Sequence, residues 1–465
     1  MNFYFLGIAG AGMSALASVL ASEGHNVTGS DSGVFAPISD YLDARGIQWR
    51  DGFDARRIPA GLDAAIVGSS AKLDLAHNPE MAELIRLGIP QYSFAQYLGR
   101  HTQGRDNLVI TGSFGKSTLT ALCAVILREA GQDPGYFVGA VPLDLEETGH
   151  GGTDKTFLIE GDEYVISDTD RRSKFALYHP KAVMISSLIH DHINVFPTLA
   201  DYERPFAELI DSLPAKALLV CAHPFEGLHR LTQGRNVVWY GREACPGYYA
   251  ENLVIGEISC FDLVTPAGLR IGLETELLGL HNIENLVGAA ALLLERGEIN
   301  AAALQRGARK FRGVARRLDK KTRTSRVPVY EGFGSSYEKA RSAIDAIKLH
   351  FPGRPTLVVF EPHTFSWRNA QALTWYDTVF DGVSQVLLLP PPGHGAQSHD
   401  QLSQSQIAER ISATGVPVRP MADGEAVLGQ FKCPLAGDEV VLLLSSGPLD
   451  GLAKSLPALM DSRYP

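Results

Sequence analysis

A lysine and two hydroxyls follow a close pair of glycines in NLVITGSFGKSTLTALCAVIL, Asn107 to Leu127. That order suits a polyphosphate. Backbone N–H groups and a helix N-terminus supply partial positive charge, the lysine ammonium approaches the outer phosphates, and a serine or threonine ligates Mg2+. Gly112 and Gly115 have only Ser113 and Phe114 between them, so GSFGKST is a shorter variant of the standard phosphate loop. LVIT before it and LTALCAVIL after it are the strand and helix this mechanism needs. The alternative is a structural turn with an incidental lysine.

ATP and Mg2+ need further ligands from other strand ends, because charge must be neutralised as the γ-phosphoryl group moves. Glu160-Gly161-Asp162-Glu163 closes FLIEGDE, and His190-Asp191-His192 follows AVMISSLI. Alone, Glu160 also reads as a solvated loop acid and His192 as a hydrogen-bonded loop histidine. Behind a phosphate loop in one α/β unit, they form a candidate metal constellation. A separate cluster, Gly7-Ile8-Ala9-Gly10-Ala11-Gly12, follows the first apolar run, and Asp31 closes the next in TGSD. Such a turn suits NAD, a UDP-sugar, or merely close packing of a helix on a sheet. Two nucleotide-type turns fit an enzyme that joins a nucleotide-linked substrate to something at the expense of ATP.

These residues must be positioned by alternating strands and helices. The first hundred residues alternate β-rich runs (FYFLGI, HNVTGSD, AAIVGSS, IPQYSF) with helix-like runs (MSALASVLASEG, ISDYLDARG, PEMAELIRLG), the pattern of βαβ units and a parallel sheet. GRHTQGRDN reads as a linker. LVIT, KTFLIEG, AVMISSL, ALLVCA and VVWYG read as strands of a second unit, and the charged stretch around Lys320-Lys321-Thr322-Arg323-Thr324 reads as another joint. The last section alternates VPVYEGF, SAIDAIKLHF, TLVVFEP, a helix through ALTWYDTVF, QVLLLPPP, QSQIAERI and VVLLLSSGP. His394 and His399 in LPPPGHGAQSHD suit a solvated loop better than a metal site.

Composition narrows the class. A chain of 465 residues has room for roughly two to four domains. It is 45% hydrophobic, with no apolar run long enough for a membrane span, and the start MNFYFLGIAGAG lacks a basic leader, so a cytoplasmic protein without a membrane segment is expected. Cys123, Cys221, Cys245, Cys260 and Cys433 show no CxxC spacing, which suggests neither zinc nor a disulfide framework. A formal charge of −10 without clustered Lys and Arg disfavours nucleic acid. Nothing in the sequence fixes an oligomeric state.

Over nearly its entire length the chain resembles the Mur ligase family, the ATP-dependent amide-forming enzymes of peptidoglycan assembly. GIAGAGMSALA, GSDS and VGSSAKLDLAHNPE are similar to the family's UDP-binding domain. This implies UDP-sugar contacts from Gly10, Ala11, Gly12, Met13, Ser14, Asp31, Ser69 and Ser70. GSFGKST resembles its ATP loop, implying nucleotide contacts from Gly112, Ser113, Gly115, Lys116, Ser117 and Thr118. IEGDEY and HDHINVF resemble its Mg2+ segments, implying metal ligation by Ser117 and Glu160, with His192 at a second Mg2+. LGLHNIENLVGAAAL implies adenine contacts from His281, Asn282 and Asn285, and FRGVARRLD implies that Arg316 or Arg317 meets the transferred phosphoryl charge.

The resemblance implies an α/β fold in three domains. These are a Rossmann-like UDP-sugar domain over 1–104, a central P-loop ATPase-type parallel-sheet domain over 105–320, and a C-terminal Rossmann-like α/β domain over 321–465 that carries amine-substrate and ATP contacts. PGYFVGAVP and DRRSKFALYHP look most like the recycling branch, which attaches a murein tripeptide to UDP-N-acetylmuramate. No lysine occurs between Lys181 and Lys216, so the carbamylated lysine of several relatives has no counterpart. Phe114 stands where relatives carry His or Asn. In YEGFGSSYEKA, Gly332 replaces an acid, and Ser335 and Ser336 replace paired histidines of the third domain.

The implied reaction is phosphorylation of a carboxylate by ATP, then displacement of phosphate by an amine. Murein peptide, L-alanine and an amine from another pathway are the candidate acceptors. An inactive nucleotide-binding protein is a rival suggested by YEGFGSSYEKA. An NAD-dependent dehydrogenase is another, although it leaves GSFGKST and IEGDEY unexplained.

Overall fold

The chain folds into three α/β sheets, and the glycine turns and the acid segment lie at the carboxyl ends of parallel strands. The computed structural model describes residues 1–34, 38–70, 73–166, 170–191, 195–393 and 401–465. These form two compact units, one of Met1–Leu253, Cys260–Thr275 and Ile283–Phe311, the other of Val254–Ser259, Glu276–Asn282 and Arg312–Pro465.

The first unit holds two sheets. Strands Asn2–Leu6, Asn26–Asp31, Gln48–Asp51, Ala64–Val67 and Gln91–Tyr92 are parallel and ordered 3-2-1-4-5 by sequence, the order of a dinucleotide-binding sheet without its sixth strand. Leu6 lies level with Ser30 on one side and Val67 on the other, so the Gly7 turn, Asp31 and Gly68–Ser70 emerge together. The Ala11–Ser22 helix packs on this sheet with Met13 to Leu20 all buried. GRHTQGRDN is only partly a linker. Gly99 to His101 finish a helix, Phe94–His101, that a Ser93/Gln96 capping box starts, and Asp106 already begins a strand.

The second sheet has ten strands. Its centre is Asp106–Thr111, flanked by parallel strands Thr156–Glu160 and Ala182–Ile185. Ile110 pairs with Glu160 on one side and Met184 on the other, which brings the phosphate loop, the acid segment and Ser186-Ser187 to one edge. Helix Lys116–Glu129 leaves this edge with every residue from Ser117 to Leu127 buried. Burying Leu119, Leu122, Ile126 and Leu127 stabilises by about 2 kcal/mol each, a rigid anchor for Lys116. The strands Tyr248–Val254, Ser259–Val264 and Arg270–Thr275 complete the far side.

The second unit contains the third sheet. Strands Val329–Gly332, Val440–Leu444, Thr356–Phe360, Gln385–Leu388 and Val418–Pro420 lie parallel in that spatial order, with Arg317–Lys320 antiparallel at the Val329–Gly332 edge. Gly332, Leu444 and Phe360 are level with one another at the carboxyl ends. ALTWYDTVF does not form the expected α-helix. Ala370–Asp377 is a 3-10 helix begun by Asn369, whose side chain accepts the Gln371 N–H.

Candidate active site

The candidate phosphate loop is shaped by its own protein contacts. Gly112 has φ 132°, and a Cβ there would stand 2.5 Å from Ser186 Oγ and 2.8 Å from the Ser187 nitrogen. Gly115, the N-cap of the Lys116–Glu129 helix, has φ 84°, and its Cβ would stand 2.9 Å from Asn285 Oδ1. Both positions therefore require glycine. Ser186 and Ser187 staple the intervening residues: Ser113 N–H donates to the Ser187 carbonyl (3.2 Å), Phe114 N–H to Ser187 Oγ (2.8 Å), and the Ser186 hydroxyl to the Phe114 carbonyl. Ser113 Oγ accepts from Ile189 N–H and the Tyr202 hydroxyl and donates to the Ile189 carbonyl, all at 2.8 Å, so Ser113 braces the loop. Phe114 projects outward, 52% exposed. Thr118 is buried.

Three cation or hydroxyl groups meet three acids at this edge. Lys116 Nζ donates to the Gly112 carbonyl (2.7 Å) and to Glu163 Oε2 (3.0 Å). Glu163 is 1% exposed, and burial pushes its carboxyl above the usual range while Lys116 pulls it back. Ser117 Oγ donates to Glu160 Oε1 (2.7 Å), whose other oxygen accepts the Gly139 N–H (2.6 Å). Lys174 Nζ lies 2.7 Å from Asp162 Oδ2. A hydroxyl and a carboxylate in contact at a helix N-terminus are hard oxygen donors of the kind Mg2+ takes, so Ser117 and Glu160 fit the ion. His190 Nε2 bonds the Phe196 carbonyl at 2.7 Å, and His192 lies outside the described residues, as do His394 and His399.

The first turn opens on a cleft of about 500 Å3 lined by Gly10, Ala11, Gly12, Met13, Asp31, Ser69 and Ser70, with Phe94 on its wall. Asp31 Oδ2 accepts the Ala9 N–H (3.0 Å), closing the turn over the helix N-terminus. Ser14 does not line the cleft. It is buried and gives its hydroxyl to the Ala11 carbonyl at 3.1 Å.

In the second unit the two arginines differ. Arg316 sits at φ 65°, a left-handed conformation costing on the order of 1 kcal/mol. It is held there by its N–H to Asp319 Oδ1 (2.7 Å), by Nη2 to the Ser445 and Gly447 carbonyls (3.1 and 2.8 Å) and by Glu331 (3.4 Å). Arg317 is exposed. His281 is also exposed, whereas Asn282 is buried and donates to the Leu278 carbonyl (2.8 Å). Ser336 caps the Tyr337–His350 helix, and Ser335 Oγ accepts from Lys339 Nζ at 3.3 Å. Phe333, 41% exposed, has Arg316 at 5.0 Å and Lys339 at 5.8 Å from its ring centre. Glu361 is buried and accepts the Ser445 hydroxyl at 2.6 Å.

Sequence reasoning did not single out Glu163, Lys174, Ser186, Ser187 or Phe94. A second acid three residues beyond Glu160 was a readable signal, and so was the serine pair closing AVMISSL. Phe94 carries none.

Residues 2–105 match the model of the Mur ligase family catalytic domain, and 110–293 that of the Mur ligase middle domain. A UDP-N-acetylmuramate–L-alanine ligase of Renibacterium salmoninarum is 31% identical over 78% of this chain and 76% of its own length. The UDP-N-acetylmuramate–L-alanyl-gamma-D-glutamyl-meso-2,6-diaminoheptandioate ligase of Escherichia coli is 27% identical over 98% of this chain and 100% of its own. The fold matches the crystal structure of UDP-N-acetylmuramate-alanine ligase from Thermotoga maritima with a TM-score of 0.80, 20% identity and 99% of each chain covered. With its phosphate loop, acid segment and first-domain cleft built as described, the chain belongs to the Mur ligase family of ATP-dependent ligases.

Proposed function

We propose that this chain joins the carboxylate of UDP-N-acetylmuramate to an amine at the expense of ATP, in the cytoplasm, with a murein peptide as acceptor. The observation that carries the reading is the edge where Lys116, Ser117 and Glu160 surround the Gly112–Gly115 turn. Lys116 would move from Glu163 onto the β/γ-phosphates, and Ser117 and Glu160 would hold Mg2+, which would supply neutralisation of the phosphate charge. A carboxylate oxygen attacks the γ-phosphorus as the bond to ADP breaks. The amine nitrogen then attacks the acyl carbon, the bond to phosphate breaks, and the amine loses a proton. The second step proceeds because phosphate is a far better leaving group than oxide.

The first-domain cleft, at a helix N-terminus with no acid in its first turn, suits a uridine diphosphate. Arg316 or Arg317 would meet the transferred phosphoryl group; Arg316 would first have to leave two carbonyls and Glu331. His281, Asn282 and Asn285 would contact adenine. For the amine, Lys339 and Phe333 at the Gly332–Ser336 turn favour a peptide that carries carboxylates. L-Alanine is the second reading, favoured by the names of the Renibacterium and Thermotoga relatives.

Phosphate release with ATP, Mg2+ and UDP-N-acetylmuramate, run against murein tripeptide, L-alanine and a panel of other amines, separates these acceptors. Release only with tripeptide, together with the product mass, is the expected result. Nucleotide binding without release under every amine would instead mark an inactive binding protein.

A further inference from the structure

Lys174 has no part in the reading above, yet it stands between the first-domain cleft and the acid-lined edge of the phosphate loop. Its side chain is 12% exposed. Asp162 Oδ2, at 2.7 Å, is its hydrogen-bond partner among the described residues, so two of the three ammonium donors remain for a ligand. The ammonium lies 5.2 Å from the centre of the Phe94 ring and 5.4 Å from that of Tyr164. Phe94 lines the cleft beside Gly12 and Met13. The turn that carries Lys174 is fixed to the acid segment by its own N–H to the Tyr164 carbonyl (3.0 Å) and by the Ser173 hydroxyl to the Glu163 carbonyl (2.7 Å).

The proposed chemistry needs a cation here. An acid attached to the bound sugar must approach a triphosphate beside Glu160, Asp162 and Glu163, and like charges at this range repel unless one is compensated. Lys116 serves the phosphate side of the new bond. We infer that Lys174 serves the other side, receiving the carboxylate of the sugar-linked acid and holding it for attack on the γ-phosphorus. Lys174 neither gains nor loses a proton in the step. One carboxylate oxygen forms the bond to phosphorus while the other stays on the ammonium, and Asp162 with the two rings keeps the side chain extended toward the cleft.

This inference rests on the ligase reading, and UDP-N-acetylglucosamine, which lacks the lactyl carboxylate, separates the two. Calorimetric affinities of the full-length protein for UDP-N-acetylmuramate and UDP-N-acetylglucosamine are compared in wild type, K174Q and K174R. The wild type is expected to prefer the acid roughly tenfold or more, the scale of a charge-assisted hydrogen bond. K174Q should lose that preference while keeping its affinity for UDP-N-acetylglucosamine and ATP, and K174R should recover part of it. An unchanged preference in K174Q overturns the inference, as does equal weakening toward both sugars, which marks a merely structural lysine. Absence of any preference in the wild type would instead overturn the ligase reading itself.

Discussion

At the edge of the central sheet, polar side chains meet acids: Lys116 meets Glu163, Ser117 meets Glu160 and Lys174 meets Asp162. At the edge of the C-terminal sheet they are turned inward. Glu331 holds Arg316 and Lys321, Glu361 holds Ser445, and the turn between them is Gly332-Phe333-Gly334-Ser335-Ser336. The first arrangement can exchange its partners for phosphates and a metal ion. The second has its charges engaged with protein groups and leaves Phe333 and Lys339 exposed. This turn presents Gly332, Ser335 and Ser336 where the family resemblance implies an acid and two histidines, whereas the central edge carries Lys116, Glu160, Asp162 and Glu163.

The largest effect belongs to the central edge. Lys116→Ala should slow phosphate release about a hundredfold, the scale of losing one preorganised contact to transferring charge. Near-normal turnover in that variant would remove the distinction between the two edges. Lys339→Ala should raise KM for the amine roughly fivefold, as befits an exposed charge, with ATP affinity unchanged. A shift in ATP affinity as large as that in amine KM would make the C-terminal edge part of the nucleotide site instead.

A smaller effect sharpens the idea that ion pairs at the central edge are exchangeable. Glu163 is buried and already raised by desolvation, with Lys116 the group that lowers it. When Lys116 turns to the phosphates, the carboxyl rises further and takes up a fraction of a proton at a pH above the ordinary carboxylate range. ATP-binding heats measured in two buffers of different ionisation enthalpy should reveal this uptake in wild type and none in Glu163→Gln. Identical heats in both buffers for the wild type would mean that Lys116 stays on Glu163.

The smallest effect is on stability. His150 lies between Glu147 (3.0 Å) and Asp133 (2.8 Å), and hydrogen bonds to Glu147 first and Asp133 second raise its pKa above the ordinary imidazole value. A raised histidine contributes stability that is fully present below its unfolded pKa and is lost as pH rises through the folded one. Thermal midpoints taken from below neutral pH upward should fall more in wild type than in His150→Gln. Parallel curves would exclude the contribution.

How much of this was readable depended on whether the partners are neighbours in sequence. Gly112, Gly115, Lys116 and Ser117 lie within six residues, and their mutual geometry follows from one strand-turn-helix, so the loop could be read directly. Glu160 was readable as an acid at a strand end. The partners of Glu163 and Lys174 were not, because they come from the pairing of Asp106–Thr111 with Thr156–Glu160 and from a turn after it. Phe94 reaches the cleft because the Phe94–His101 helix starts beside Gly12, a placement that no local pattern announces. Arg316 and Arg317 are indistinguishable in FRGVARRLD, and it took the carbonyls of Ser445 and Gly447 to separate them. Arg270–Thr275 was missed although its residues alternate exposed and buried, because the strand is short and follows another unrecognised one. Lys320–Thr324 reads as a joint from its charge, yet Lys321 pairs with Asp319 and Glu331, so the charges there bind strands together.

The most direct measurement follows an oxygen atom. With UDP-N-acetylmuramate carrying 18O in its carboxylate, the account predicts that phosphate released during amide formation contains one 18O atom, because a carboxylate oxygen leaves with the phosphoryl group. Unlabelled phosphate, accompanying either an amide product or plain ATP hydrolysis, would contradict it.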